Sequence, residues 1–122
     1  CGWVDLVALR YAIMINGVTQ LILMKSDVLD DFDTIKACVA YKVNGEEIDY
    51  FPFDITEGVE PVYAELPGWQ TDMTKMQSED EFPEEFNAYL SFFHNSKSAD
   101  CVLGDVLLIS SASSRLQNTL PG

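Results

Sequence analysis

Lys25 and Asp27 are the two residues of this sequence whose types and spacing are best suited to specific recognition chemistry. They follow an apolar stretch, residues 21–24, in a Lys-x-Asp arrangement that can read a guanine base. Guanine presents two adjacent donors, its ring N1–H and its exocyclic amino group, and one carboxylate can accept both. Adenine lacks this donor pair and would leave the carboxylate unpaired. The lysine stem can lie along the purine face while its ammonium group stays near water.

Lys-x-Asp is a short motif, and a solvated charge pair at the end of a strand is the alternative interpretation. The elements that would position the motif therefore matter. Residues 20–25 are apolar on consecutive positions, which predicts a buried strand. Residues 3–16 repeat apolar side chains at three- and four-residue steps, which predicts a helix closed by Gly17.

The chain after the motif has the pattern of a β-hairpin. Residues 35–43 are rich in β-forming side chains, and Asn44-Gly45 favours a type I′ turn. Residues 46–51 then form the return strand, which ends at Pro52 because proline cannot continue the ladder.

The second half of the chain has fewer regular elements. Residues 52–80 are predicted to be irregular because prolines and glycines interrupt them, whereas Pro83 opens a helix that runs to about residue 94. Its apolar face consists of Phe86, Tyr89, Leu90 and Phe93. Residues 105–109 predict a last strand, followed by a serine-rich loop. The order indicates the α/β class: a partial domain with a buried strand, a β-hairpin and flanking helices, part of a larger mixed-sheet α/β fold.

Composition narrows the classes of function. The 122 residues are 48% hydrophobic and carry a net charge of −13, which argues against a nucleic-acid partner. No apolar run is as long as a membrane span and no leader opens the chain, so a soluble cytoplasmic protein without a membrane partner is expected. The start at Cys1 suggests the middle of a longer chain.

Neither the cysteines nor the acidic residues predict a metal site. The three cysteines are widely spaced and odd in number, which favours neither a disulfide framework nor a zinc site. The acidic residues at 27–33 lack the alternating ligands and central glycine of a calcium loop. They and a second cluster at 79–85 are interpreted as solvated surface.

Several stretches together resemble the C-terminal part of adenylosuccinate synthetases. They stand in family order and spacing: CGWVDLVALR at 1–10, INGVT at 15–19, KSDVLD at 25–30, IKACVAY at 35–41 and PVYAELPGW at 61–69. The resemblance covers residues 1 to about 93, and the tail at 94–122 diverges from the family. It implies that the chain is the C-terminal guanine-recognition portion of such an enzyme.

The family's enzyme is a GTP-dependent ligase that joins L-aspartate to inosine monophosphate (IMP) to form adenylosuccinate, a step in AMP biosynthesis. The resemblance implies GTP as a substrate, Mg²⁺ on its phosphates, IMP and L-aspartate as further ligands, and a homodimer when full length. It also implies that GTP phosphorylates the 6-oxygen of the purine before the aspartate amine displaces that phosphate.

Residue by residue, the resemblance places Lys25 and Asp27 on the family's guanine-recognition pair. It places Ser110 and Ala112 on a Ser-x-Gly that borders the guanine, and Arg115 on a nearby arginine. The chain departs from the family here, because Ala112 stands where the family has glycine.

The family's phosphate loop, catalytic residues and magnesium ligands would all lie upstream of Cys1. The chain alone is therefore expected to catalyse nothing and to expose apolar surface. Two alternatives stay open: a non-catalytic acidic α/β module that binds guanine nucleotides or serves assembly, and a plain acidic α/β domain in which Lys25-Ser26-Asp27 is incidental.

Overall fold

The computed structural model describes residues 2–54, 58–76, 79–95, 106–109 and 116–118. These residues form two helices and two sheets, with short 3₁₀ turns between them. In chain order the elements are β1 (Val4–Asp5), α1 (Leu6–Asn16), β2 (Leu21–Met24), β3 (Thr34–Val43), β4 (Glu46–Ile48), β5 (Val59–Pro67), α2 (Glu84–Asn95), β6 (Val106–Ile109) and β7 (Leu116–Asn118). The mixed α/β class predicted from the sequence is confirmed.

Helix α1 begins later than its apolar pattern predicted because Asp5 caps it. The Asp5 carboxylate accepts the backbone N–H groups of Val7 and Ala8, both at 3.0 Å, which satisfies two donors of the first turn. Its other oxygen accepts the hydroxyl of Tyr41 on β3. Burial, and then this hydrogen bond, raise the pKa of Tyr41 well above its usual value. Gly17 ends the helix in the left-handed region, at φ 61°, as predicted.

The first sheet is built around β3. Strand β5 pairs antiparallel along almost the whole of β3. Strand β1 also pairs with β3, in parallel at Ala37 and Cys38, and β4 pairs antiparallel at residues 41–43. Asn44 and Gly45 join β3 to β4 with φ of 52° and 83°. Both values are positive, as a type I′ turn requires, so the predicted turn and hairpin are confirmed. The return strand is shorter than predicted, because β4 ends at Ile48 and does not extend to Pro52.

Strand β5 corrects the prediction that residues 52–80 are irregular. Val59–Pro67 is one of the two longest strands described, with Pro61 opposite Tyr41 and Pro67 opposite Thr34. Among the described residues β5 pairs with β3 alone, and an edge strand tolerates proline because its outward side needs no N–H donor. The prolines that suggested a loop are thus compatible with a strand in this position.

The second sheet has the order β2-β6-β7, with β6 parallel to β2 and β7 antiparallel to β6. The strand predicted at 20–25 is present, and so is the one predicted at 105–109. The prediction that the first of these is buried is wrong for Ile22 and Met24, which are 52% and 58% exposed. Consecutive apolar residues in β2 indicated that both faces of the strand are packed against other residues. Among the described residues, only the face with Leu21 and Leu23 is packed in this way.

Helix α2 closes the main core, and its predicted apolar face is confirmed. Phe86, Tyr89, Leu90 and Phe93 are all buried. Three of them pack with Ile35, Trp69 and Met73 in one cluster, against which Trp3 also packs. Within the described ranges no helix combines the length and hydropathy that a membrane crossing requires.

Candidate functional site

The Lys-x-Asp motif forms a tight turn at the carboxyl end of β2. Lys25 has φ 56° and ψ 39°, and Ser26–Leu29 follow as a 3₁₀ helix. The Val28 N–H donates to the carbonyl of Lys25, and the Asp30 N–H donates to the carbonyl of Asp27, each at 3.2 Å. Such a left-handed residue other than glycine costs about 1–3 kcal/mol, which the surrounding structure must offset. Residues 25–30 are called the motif turn below.

The motif turn presents two different side chains to its surroundings. Lys25 is exposed and Asp27 is half-buried in the first turn of the 3₁₀ helix. A half-buried carboxylate can be approached by a ligand and can accept charge-assisted hydrogen bonds. Val28, the next residue in the sequence, is 64% exposed.

The register of the second sheet relates the motif turn to the last part of the chain. Met24, immediately before Lys25, pairs in parallel with Ile109, immediately before Ser110 in the sequence. Ligand sites of α/β proteins form at the carboxyl ends of parallel strands. The predicted site residues Ser110 and Ala112, and Arg115 with them, lie outside the described residues.

Asp30 corrects the interpretation of the first acidic cluster as solvated surface. It is 9% exposed, its Oδ1 accepts the indole N–H of Trp69 at 2.7 Å, and its Oδ2 accepts the Met73 N–H at 2.8 Å. A buried carboxylate is tolerated when its oxygens have such donors. Asp31 and Asp33 are exposed, and so are the described side chains of the second cluster, Asp80, Glu81, Glu84 and Glu85.

A second set of bonds ties the residues just beyond the motif turn to the chain after β5. The Gly68 N–H donates to the carbonyl of Asp33 at 2.9 Å, and the Gln70 amide donates to the Asp33 carboxylate. A Cβ at Gly68 would lie 1.7 Å from the carbonyl oxygen of Phe32. Only glycine permits this close approach of two backbones. Residues 67–73 are called the clamp segment below.

The sequence did not reveal that Asp30, Gly68 and Trp69 act together. Trp69 carried a usable signal, because a buried indole N–H needs an acceptor. The acceptor stands 39 positions away, so the sequence could not say which acidic residue it is. The bonds of Asp30 with the clamp segment hold the backbone of the motif turn in place. The Asp27 carboxylate in the same turn is only half-buried.

A shallow pocket of about 170 Å³ lies elsewhere, lined by Leu6, Arg10, Val39 and Phe92. The Arg10 guanidinium donates to the backbone carbonyls of Val39 and Asp49, at 3.5 and 3.3 Å. These bonds give Arg10 a structural role between α1 and the first sheet. Among the described residues, no group of His, Cys, Asp and Glu side chains is arranged to hold a metal ion.

Comparison with known sequences points to one family. The sequence profile of adenylosuccinate synthetase matches residues 1–117. The adenylosuccinate synthetase of Bacteroides thetaiotaomicron is 88% identical to this chain over 92 residues, which are 75% of this chain and 22% of that relative. That of Porphyromonas gingivalis is 66% identical over 92 residues, with the same two shares. The chain thus spans about a fifth of the length of these curated relatives.

The fold leads to the same family. The chain superposes with a TM-score of 0.80 on the structure of a fully ligated adenylosuccinate synthetase from Plasmodium falciparum. The two are 29% identical, and the match covers 92% of this chain and 27% of that one.

Proposed function

Because this chain belongs to the adenylosuccinate synthetase family, we propose that it supplies the guanine-recognition portion of a GTP-dependent ligase that joins L-aspartate to IMP. The observation that carries the proposal is the motif turn. It places the half-buried Asp27 carboxylate at the carboxyl end of a parallel strand. Ligand sites in α/β folds form at such an edge.

In this proposal Asp27 accepts two hydrogen bonds from guanine, one from N1–H and one from the 2-amino group. The exposed stem of Lys25 lies along one face of the base. We assign Ser110 and Ala112 to the border of the same base, and the pairing of Ile109 with Met24 supports this assignment. Recognition is selective because a base without both donors leaves part of the carboxylate unpaired.

The reaction we propose for the full enzyme has two steps. The γ-phosphoryl group of GTP passes to the 6-oxygen of IMP, giving GDP, and the amine of L-aspartate then attacks C6 and releases phosphate. Phosphoryl transfer depends on holding the nucleotide in place, and reading its base contributes to that. Mg²⁺ would neutralise charge on the phosphates, but the described residues offer no fitting group of ligands, so we assign none to them.

A chimera tests the proposal. In it, residues 1–95 of this chain replace the corresponding stretch of the full-length Bacteroides thetaiotaomicron relative. We expect the chimera to form adenylosuccinate from GTP, IMP and L-aspartate at a rate within about tenfold of the parent enzyme, because the two are 88% identical over 92 residues. We expect the 122-residue chain alone to form none, because it spans 22% of that relative.

A coupled assay of GDP release together with chromatography of adenylosuccinate measures both results. Circular dichroism and size-exclusion chromatography serve as the control that the chimera is folded. A folded chimera without activity would contradict the proposal for the motif turn. Adenylosuccinate formation by the purified chain would contradict the assignment of the chemistry to residues outside it.

A further inference from the structure

We propose that Asp30 is a positioning residue for base recognition: its buried carboxylate fixes the motif turn to the clamp segment and so sets where Asp27 meets the base. The inference rests on the proposed function of Asp27 and deepens it. Asp30 itself, 9% exposed with both oxygens accepting protein donors, is not placed to contact a ligand.

The two aspartates are connected through the backbone. Asp27 and Asp30 stand one 3₁₀ turn apart, and the Asp30 N–H donates to the Asp27 carbonyl at 3.2 Å. A shift of the Asp30 backbone would therefore strain or break a hydrogen bond to the backbone of Asp27. Since Lys25 on the other side is in the left-handed region, the turn needs support from its surroundings to keep this shape.

Two buried residues of the clamp segment supply this support. Trp69, whose indole N–H donates to Asp30, is 4% exposed and packs edge-on against Phe86 with ring centroids 4.9 Å apart. Met73, whose N–H donates to the other oxygen, is also buried. The clamp segment thus couples the motif turn to the main core. Leu29 adds apolar contacts to that core, but apolar packing does not fix orientation as two charge-assisted hydrogen bonds do.

Recognition of the base requires a precisely placed Asp27 carboxylate. Two parallel hydrogen bonds to guanine require Asp27 to be placed within roughly 0.5 Å and 10–20°, and residues behind the contact provide that placement. A displaced Asp27 loses one of the two bonds and with it the advantage of guanine over a base with a single donor. Inosine triphosphate (ITP) carries such a base, since hypoxanthine has N1–H but no 2-amino group.

The experiment compares the selectivity, kcat/KM for GTP divided by kcat/KM for ITP, in the chimera and three variants. Asp30→Asn replaces one accepting oxygen by a donor, and Trp69→Phe removes the indole N–H but keeps an aromatic ring. Ile35→Val is the matched control, because Ile35 is 1% exposed in the same core cluster and belongs to neither the turn nor the clamp segment. All assays are run below the unfolding temperature of the least stable variant.

We expect Asp30→Asn and Trp69→Phe to lower the selectivity by at least about fivefold, chiefly through a higher KM for GTP. Ile35→Val should leave the selectivity unchanged even if its unfolding temperature falls. Selectivity within about twofold of the parent chimera in both test variants would overturn the positioning role, and so would a failure of both to fold. A parent chimera that uses ITP as well as GTP would instead refute the proposed function, and the inference with it.

Discussion

Replacing Asp27 by asparagine in the chimera should invert its preference between guanine and xanthine nucleotides. We expect kcat/KM for GTP to fall by about 10²- to 10⁴-fold. The carboxylate accepts both donors of guanine, whereas the asparagine NH₂ is itself a donor and would face one of them. Xanthine carries an oxygen at position 2 beside its N1–H, so one amide can accept from N1–H and donate to that oxygen. Xanthosine triphosphate (XTP) should therefore become the better substrate.

Steady-state kinetics with GTP and XTP measure the inversion in one series. Asp31→Asn is the matched control, because Asp31 is an exposed aspartate just beyond the motif turn. It makes the same change of charge and should keep the preference for GTP. An Asp27→Asn chimera that still prefers GTP to XTP would refute the assignment of Asp27 to the base.

Gly68→Ala should have the largest effect on stability. The new Cβ would lie 1.7 Å from the Phe32 carbonyl oxygen, and the backbone there cannot rotate away as a side chain would. Residues 32 and 68 must therefore separate, which weakens the bond from the Gly68 N–H to the Asp33 carbonyl. We expect a loss of about 3 kcal/mol or more in the free energy of unfolding.

Urea unfolding of the chimera, followed by circular dichroism, measures this loss. Gly2→Ala is the control, because a Cβ at Gly2 meets nothing within 4 Å. It should change the free energy of unfolding by no more than about 0.5 kcal/mol. Equal stability of the two variants would show that the chain does not approach itself at Gly68 as described.

Features that depend on short-range patterns were predicted well. The face of α2 follows from a periodicity within eight residues, and all four of its predicted side chains are buried. The hairpin follows from Asn44-Gly45, whose positive φ values a type I′ turn requires. In both cases the local preference and the final structure agree, so no distant partner had to be known.

Features that depend on distant partners were not predicted. Strand β5 contains two prolines, and only its place at the edge of the described sheet makes them acceptable. Aspartate is usually a surface residue, and Asp30 can be buried because it accepts the indole N–H of Trp69, 39 positions later. The open face at Ile22 and Met24 likewise depends on what lies against β2, which the apolar pattern of the strand does not specify.

The candidate site shows the same division. Lys25 and Asp27 could be selected from the sequence because the chemistry of guanine requires a carboxylate and tolerates a lysine stem. The left-handed conformation of Lys25 could not be predicted from the sequence, because it is a costly backbone state that the surrounding contacts maintain. The guanine chemistry that the motif indicates stays a prediction, while the supports of the motif turn became visible only in the fold.

The most direct test of the central claim leaves the motif unchanged and alters the nucleotide. The parent chimera should use GTP about 10- to 100-fold more efficiently than ITP by kcat/KM, since ITP lacks the 2-amino donor and forfeits one hydrogen bond to the Asp27 carboxylate. Because no residue is replaced, a change in folding cannot account for the difference. Equal kcat/KM for GTP and ITP would contradict the claim that this turn reads guanine through Asp27.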